Sequence, residues 1–190
     1  MTGRRVFILL MIISLLLTGC GEAARLEKDF ENARESWREA EKISFKAEIS
    51  AELYDSLFTC TLFCSHEDGE TLVEILAPEN ISGIRARLRE GEASLEYDGL
   101  ILAIGDPMNG EVSPLAAMPL IVSALLDGHV TLLWNETEEG ENLTAVEVYV
   151  DENSSLRLWF ARENFLLSHA ELVSGGKAVV KCRITEFTKE

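Results

Sequence analysis

The chain has 190 residues and a formal charge of −16, from 17 lysines and arginines against 33 carboxylates. Arg4 and Arg5 are the only charged residues before Cys20, so everything from Cys20 onward carries −18. A body this acidic is repelled by nucleic acid and by anionic lipid, which sets aside both as electrostatic partners, while the length suits one domain with a real core.

Two arginines, an apolar run from Val6 to Leu17 and then small residues follow the plan of a secretory signal peptide. The run is too short for a good membrane span, which takes about 20 residues. Leu17-Thr18-Gly19-Cys20 resembles a bacterial lipobox, in which the cysteine is acylated and becomes the first residue of the mature protein. The expected division is a signal peptide over 1–19, a lipidated tether over 20–24 and a single folded domain over 25–190. That places the domain on the extracytoplasmic face of the cell membrane, anchored by acyl chains on Cys20. The plainer alternative is an uncleaved anchor with an incidental cysteine.

Leu26, Phe30, Ala33, Trp37 and Ala40 recur at steps of four and three, the stripe of an amphipathic helix over roughly 22–42. Its wet face holds Glu27, Lys28, Glu31, Arg34, Glu35, Arg38, Glu39 and Lys42, several at opposite-sign i,i+4 spacing. From Ser44 the period becomes two: Phe45, Ala47, Ile49, Ala51 and Leu53 alternate with polar residues, as in a half-buried antiparallel strand. Further strands are expected around Phe58 to Cys64, Thr71 to Ala77, Ile84 to Arg89, Ala93 to Asp98 and Leu100 to Ile104, with Asp98-Gly99 a strong hairpin signal. Ser113-Pro114 then starts a helix that runs to about Leu126 and stops before Gly128. That helix is apolar nearly all round and so must be covered on most sides, and Pro119 either kinks or splits it. Strands resume at Val130 to Asn135, Leu143 to Val150, Leu156 to Ala161, Phe165 to Val173 and Ala178 to Phe187.

With Cys20 assigned to lipidation, Cys60, Cys64 and Cys182 remain, an odd number that cannot fully pair within one chain. On one strand Cys60 and Cys64 would sit about 13 Å apart, so at most Cys182 bridges one of them; the simpler reading is three small buried hydrophobes. Cys60-x3-Cys64-x-His66 would spread over about 20 Å of strand, too far for one metal ion, so no metal or other cofactor is expected. His66, His129 and His169 lie far apart in sequence, without paired ligand spacing. G-x-S-x-G, the P-loop and G-x-G-x-x-G are all absent from the sequence, and the chain is expected not to be an enzyme.

A helix, about six meandering strands, a second helix and about five more strands resemble the outer-membrane lipoprotein-carrier (LolA/LolB-like) superfamily, and within it the short lipoproteins of clostridia-like Gram-positive bacteria. The residues that carry the resemblance are Phe45-Lys46-Ala47, the run Ala77-Pro78-Glu79-Asn80-Ile81-Ser82-Gly83, and Leu95-Glu96-Tyr97-Asp98-Gly99-Leu100. Ser113-Pro114-Leu115-Ala116, Pro119-Leu120 and Ile184-Thr185-Glu186-Phe187 complete it. The resemblance implies an α+β fold: a strongly curved antiparallel sheet, an incomplete barrel of about 10–11 strands, with the N-terminal and central helices on its concave side. It also implies an apolar groove that takes a lipid or acylated ligand, for which the expected liners are Phe45, Ile49, Leu62, Met118, Ile121 and Leu125. No motif selects one of Arg85, Arg87 and Arg89 as the counterpart of the soluble carrier's gating arginine. The alternative to lipid handling is a non-catalytic lipoprotein that docks an envelope or spore-cortex enzyme through its acidic exterior and N-terminal helix, with Glu31, Glu35 and Glu39 as test positions. Cavity liners and core fillers are the same residue types, so sequence leaves open whether the groove is empty or filled.

Overall fold

A computed structural model describes residues 20–53, 56–89, 91–104 and 114–190; the expected signal segment and the Ser113 cap lie outside them. Helix α1 spans Cys20–Arg38 and helix α2 spans Pro114–Leu126. The period-two stretches become eleven strands. Six precede α2: β1 (Lys42–Leu53), β2 (Ser56–Glu67), β3 (Glu70–Ala77), β4 (Arg85–Arg89), β5 (Glu92–Tyr97) and β6 (Leu100–Ile104). Five follow it: β7 (Val130–Glu138), β8 (Glu141–Asp151), β9 (Ser154–Ala161), β10 (Leu167–Ser174) and β11 (Lys177–Lys189).

All eleven form one antiparallel sheet in the order β6-β5-β4-β3-β2-β1-β11-β10-β9-β8-β7. The first and last strands therefore meet in the middle, with Ile43 opposite Lys189. Two meanders run outward from that seam and stop at unjoined edges, β6 and β7, so the sheet is not closed. The sheet nonetheless curls strongly. On the face away from α2, the Glu138 carboxylate of β7 comes within 3.3 Å of the His169 ring of β10, with β8 and β9 between them.

Most strands have one dry and one wet face; on β8 and β9 the opposite face also buries Leu143, Ala145 and Trp159, against which Trp134 packs. The dry faces of the central strands meet α1 and α2 in one continuous core that includes Phe30, Trp37, Phe45, Ile49, Leu62, Met118, Ile121, Leu125, Leu158 and Phe160. The wet face is laced with cross-strand ion pairs: Arg85–Glu74 at 3.2 Å, Arg87–Glu70 at 2.8 Å, Arg157–Glu147 at 2.7 Å and Lys181–Glu171 at 3.3 Å. The β5–β6 hairpin turns on Asp98 (φ 48) and Gly99 (φ 79). Two successive positive φ values match the twist of the flanking strands, which is why Asp-Gly signals this turn.

The structure refines three readings of the sequence. Cys20 to Ala24, expected to be a tether, form the first turns of α1 in the structure, and the helix ends at Arg38 rather than near 42 because Lys42 already begins β1. Arg34, assigned to the wet face, is buried. Of the two outcomes expected at Pro119, the split does not occur, since the residue sits inside one helix from Pro114 to Leu126.

Where α2 ends, Gly128 is held by close approach. A Cβ there would lie 2.6 Å from Val148 Cγ1 and 2.7 Å from the Ala124 Cα. Gly128→Ala is expected to destabilise by about 1–3 kcal/mol through overpacking, read as a shift of the urea midpoint.

Candidate functional site

The six expected groove liners come together, but as a packed core. Phe45, Ile49, Leu62, Met118, Ile121 and Leu125 are all among the largest fully buried side chains and belong to the same cluster. Helix α2 packs over β1, β2, β3 and β9. Depressions of about 450 and 440 Å³ open instead beside outward-facing polar side chains such as Glu48, Thr59, Thr61, His169, Lys181 and Arg183, and one of about 650 Å³ opens beside α1. No α2 residue lines any of these three.

The cover over the dry face is uneven, and two rows of cross-strand neighbours show where it fails. Toward β7, Ile49, Cys182, Ala170, Leu158 and Val146 lie side by side on successive strands and are all buried, ending at the half-buried Leu133. Toward β6 the row is Phe45, Cys64, Val73, Ala86, Leu95 and Leu102. Its first four members are 1, 0, 1 and 8% exposed; Leu95 is half-buried and Leu102 is 66% exposed. On the same face Leu100 is 77% exposed and Tyr97, its cross-strand partner, is 48% exposed. Leu95, Tyr97, Leu100 and Leu102 thus form an apolar strip continuous with the core but outside the reach of α2. Single exposed leucines are ordinary, but a contiguous group on one sheet face marks a binding surface.

Helix α2 is fixed in place from α1. Arg34 Nη2 donates to the Ala124 carbonyl at 3.3 Å and to the Gly128 carbonyl at 2.9 Å, and Nη1 meets Glu31 at 2.9 Å. The guanidinium carbon also lies 4.7 Å from the Phe30 ring centroid. Arg38 Nε donates to the Leu126 carbonyl at 2.8 Å, and its Nη2 pairs with Asp127 at 3.2 Å. The last carbonyls of a helix have no partner within it and carry its negative end, so two cations from α1 answer both needs. Burial holds the Arg34 pKa below the usual arginine value, with Glu31 opposing the shift. Phe30 and Trp37 complete the joint by packing on Phe160 of β9, with ring centroids at 5.8 and 5.3 Å.

Cys60, Cys64 and Cys182 are free and buried on the dry face. Burial pushes Cys60 up to about 11 and Cys182 up to about 12, with Cys60 adding to the Cys182 shift, and it raises Cys64 as well. All three are therefore thiols rather than thiolates at neutral pH, without nucleophilic or ligand character. His66 Nδ1 meets the Thr71 hydroxyl at 2.9 Å. Arg85 and Arg87 are matched to Glu74, Glu70 and Glu96 on the wet face, away from the apolar strip. On that same face Glu136 accepts from Trp134 Nε1 at 3.0 Å and from Trp159 Nε1, and His169 stacks on Trp159 at 4.4 Å. Of the expected docking positions on α1, Glu31 is engaged by Arg34, while Glu35 and Glu39 are exposed. Among the described residues no helix is long and apolar enough to cross a membrane.

The architecture is that of an unclosed antiparallel half-barrel with two helices, and comparison with solved structures finds the same fold. An uncharacterized conserved protein from Thermus thermophilus is 9% identical with a TM-score of 0.54, over 86% of this chain and 87% of that one. A domain described as that of an outer membrane lipoprotein-sorting protein from Vibrio parahaemolyticus is 9% identical with a TM-score of 0.50, over 85% and 91%. A LolA superfamily protein from Nitrosomonas europaea is 14% identical with a TM-score of 0.47, over 87% and 93%. No protein-family model matches the chain, and no curated protein matches it. The likeness is one of fold.

Proposed function

We propose that this chain is an exported, non-catalytic lipoprotein, anchored at the extracytoplasmic face of the cell membrane through Cys20, that holds a lipid or acylated ligand on the apolar strip of β5 and β6. The proposed organisation is a signal peptide over 1–19, acylation at Cys20 and one half-barrel domain for the remainder. The observation that carries the reading is the exposure of Leu100, Leu102 and Tyr97 on the same sheet face that is sealed elsewhere. A fully buried leucine side chain contributes about 1.5–3 kcal/mol, so two leucines and a tyrosine left in water form a surface that an acyl chain would cover favourably. The lipobox-like Leu17-Thr18-Gly19-Cys20 supports the envelope location, and the fold shared with a lipoprotein-sorting domain supports an acylated ligand. This moves the ligand from beneath α2 to beside it.

The test is a titration of the chain from residue 21 onward with a fluorescent fatty-acyl probe. Saturable binding is expected, weakened roughly tenfold or more by Leu100→Glu with Leu102→Glu, because a carboxylate on the strip would have to be desolvated under the chain. Absence of saturable binding, or binding that the double variant leaves intact, would overturn the reading.

A further inference from the structure

The sheet has two open edges, and they are built differently. Edge strand β7 carries Glu136 and Glu138, its pairing with β8 is irregular between Val130 and Leu132, and its far end folds back so that Glu138 reaches His169. Charge, irregularity and a turned-away end are the devices that stop an edge from accepting another strand. β6 has none of them. Its sequence is Leu100-Ile101-Leu102-Ala103-Ile104, without charge, proline or glycine, and its register with β5 is regular from Leu100 to Ile104. It has no second neighbouring strand among the described residues. Both its faces are open: Leu100 and Leu102 are exposed on the dry face, and Ile101 is 74% exposed on the wet face.

Charge selects the occupant. From Cys20 onward the chain carries −18, which opposes contact between two copies over most of their surfaces. Residues 85–104 come close to neutral. They hold Arg85, Arg87 and Arg89 against Glu90, Glu92, Glu96 and Asp98, a net of −1. Arg85 and Arg87 are further matched by Glu74 and Glu70 on β3. Two copies that meet here bring together their nearly neutral edges and keep the strongly acidic remainder of each chain apart.

We propose that β6 pairs antiparallel with β6 of a second copy, about a two-fold axis that passes midway between the two copies' Leu102 and stands perpendicular to the sheet. An uncharged five-residue strand is complementary to itself, and only one register pairs all five residues: Leu100 with the second copy's Ile104, Ile101 with its Ala103, and Leu102 with its Leu102. Such an isologous contact closes on itself and makes a dimer rather than a filament. The axis keeps both dry faces on one side, so the two exposed strips become one band across the junction. Two short strands bury little area, well under the about 1,200 Å² at the low end of stable interfaces, so the dimer dissociates on dilution. The pairing uses the backbone edge and stands whether or not the strip takes a lipid.

Directly opposed residues of an antiparallel pair have Cβ atoms about 4.5–5.5 Å apart, within the range that a disulfide bridges. Leu102→Cys in the full-length chain, purified in detergent and mildly oxidised, is expected to give a species of twice the chain mass on a non-reducing gel. Leu57→Cys, equally solvent-accessible on β2 at 69% exposure, and the parent chain with its buried native thiols set the background. Adding Ile101→Lys, which places a charge on the wet face of the edge, is expected to lower the Leu102→Cys cross-link roughly tenfold and leave the melting temperature unchanged. Three results would each overturn the proposal: cross-linking at Leu102 no greater than at Leu57, a cross-link insensitive to Ile101→Lys, or an adduct in cells whose mass is not twice the chain's and so reports a different protein on the edge.

Discussion

Arg34→Ala is expected to cost about 3–5 kcal/mol, close to the whole stability of many domains of this size. The side chain is buried and spans from α1 to the Ala124 carbonyl in the last turn of α2 and the Gly128 carbonyl just beyond it, so its removal does three things at once. It leaves the Ala124 and Gly128 carbonyls without their donor, it strips Glu31 of its partner, and it empties the space beside Phe30. Each stranded buried acceptor alone costs about 1–3 kcal/mol. Arg34→Lys is expected to recover only part of the loss, because an ammonium group cannot reach two carbonyls and a carboxylate with the same planar fork. Arg38→Ala, removed from the same helix end but partly exposed, is expected to cost about 1 kcal/mol or less. Urea denaturation followed by circular dichroism orders the three variants. Equal effects at positions 34 and 38 would contradict the role given to burial.

The second large effect separates the sealed part of the dry face from the open part. Leu125→Ala is expected to destabilise by about 2.7–5 kcal/mol, since a fully buried leucine in a packed core leaves a cavity that its neighbours fill only partly. Leu102→Ala, on the same face but mostly in water, is expected to change stability by about 0.5 kcal/mol or less. The comparison bears directly on where a ligand could sit. If Leu125 lined an empty groove, its truncation would resemble that of Leu102. A loss confined to Leu125 means that α2 is part of the core rather than a roof over a void.

Most of the sheet could be read from the chain because its faces differ in chemistry. Where one face is dry and the other carries Lys46, Glu48, Arg85, Arg87 or Lys181, period two is unambiguous and each strand declares itself. Asp98-Gly99 fixed a hairpin and Pro114 opened α2 at its first residue, through backbone requirements that are local. What sequence could not show was decided at long range. Arg34 looks like any other charged residue of an amphipathic helix, and the carbonyls it serves lie 90 and 94 positions later. Leu100-Ile101-Leu102-Ala103-Ile104 has no polar alternation to mark a wet face, and it is the exposed edge of the sheet. Met118, Ile121 and Leu125 share one buried cluster with Phe45, Ile49 and Leu62. Whether they enclosed a space or filled it depended on how closely α2 approaches the strands, and composition is silent on that distance.

Photolabelling with a fatty acid that carries a diazirine in its chain, followed by mass spectrometric mapping, asks the central question most directly. The adducts are expected on residues 93–104, concentrated between Tyr97 and Leu102 and lost when excess unlabelled fatty acid competes. Adducts on residues 116–125 would put the ligand beneath α2, and labelling no different from that of an unrelated acidic protein would remove the apolar strip as a binding surface.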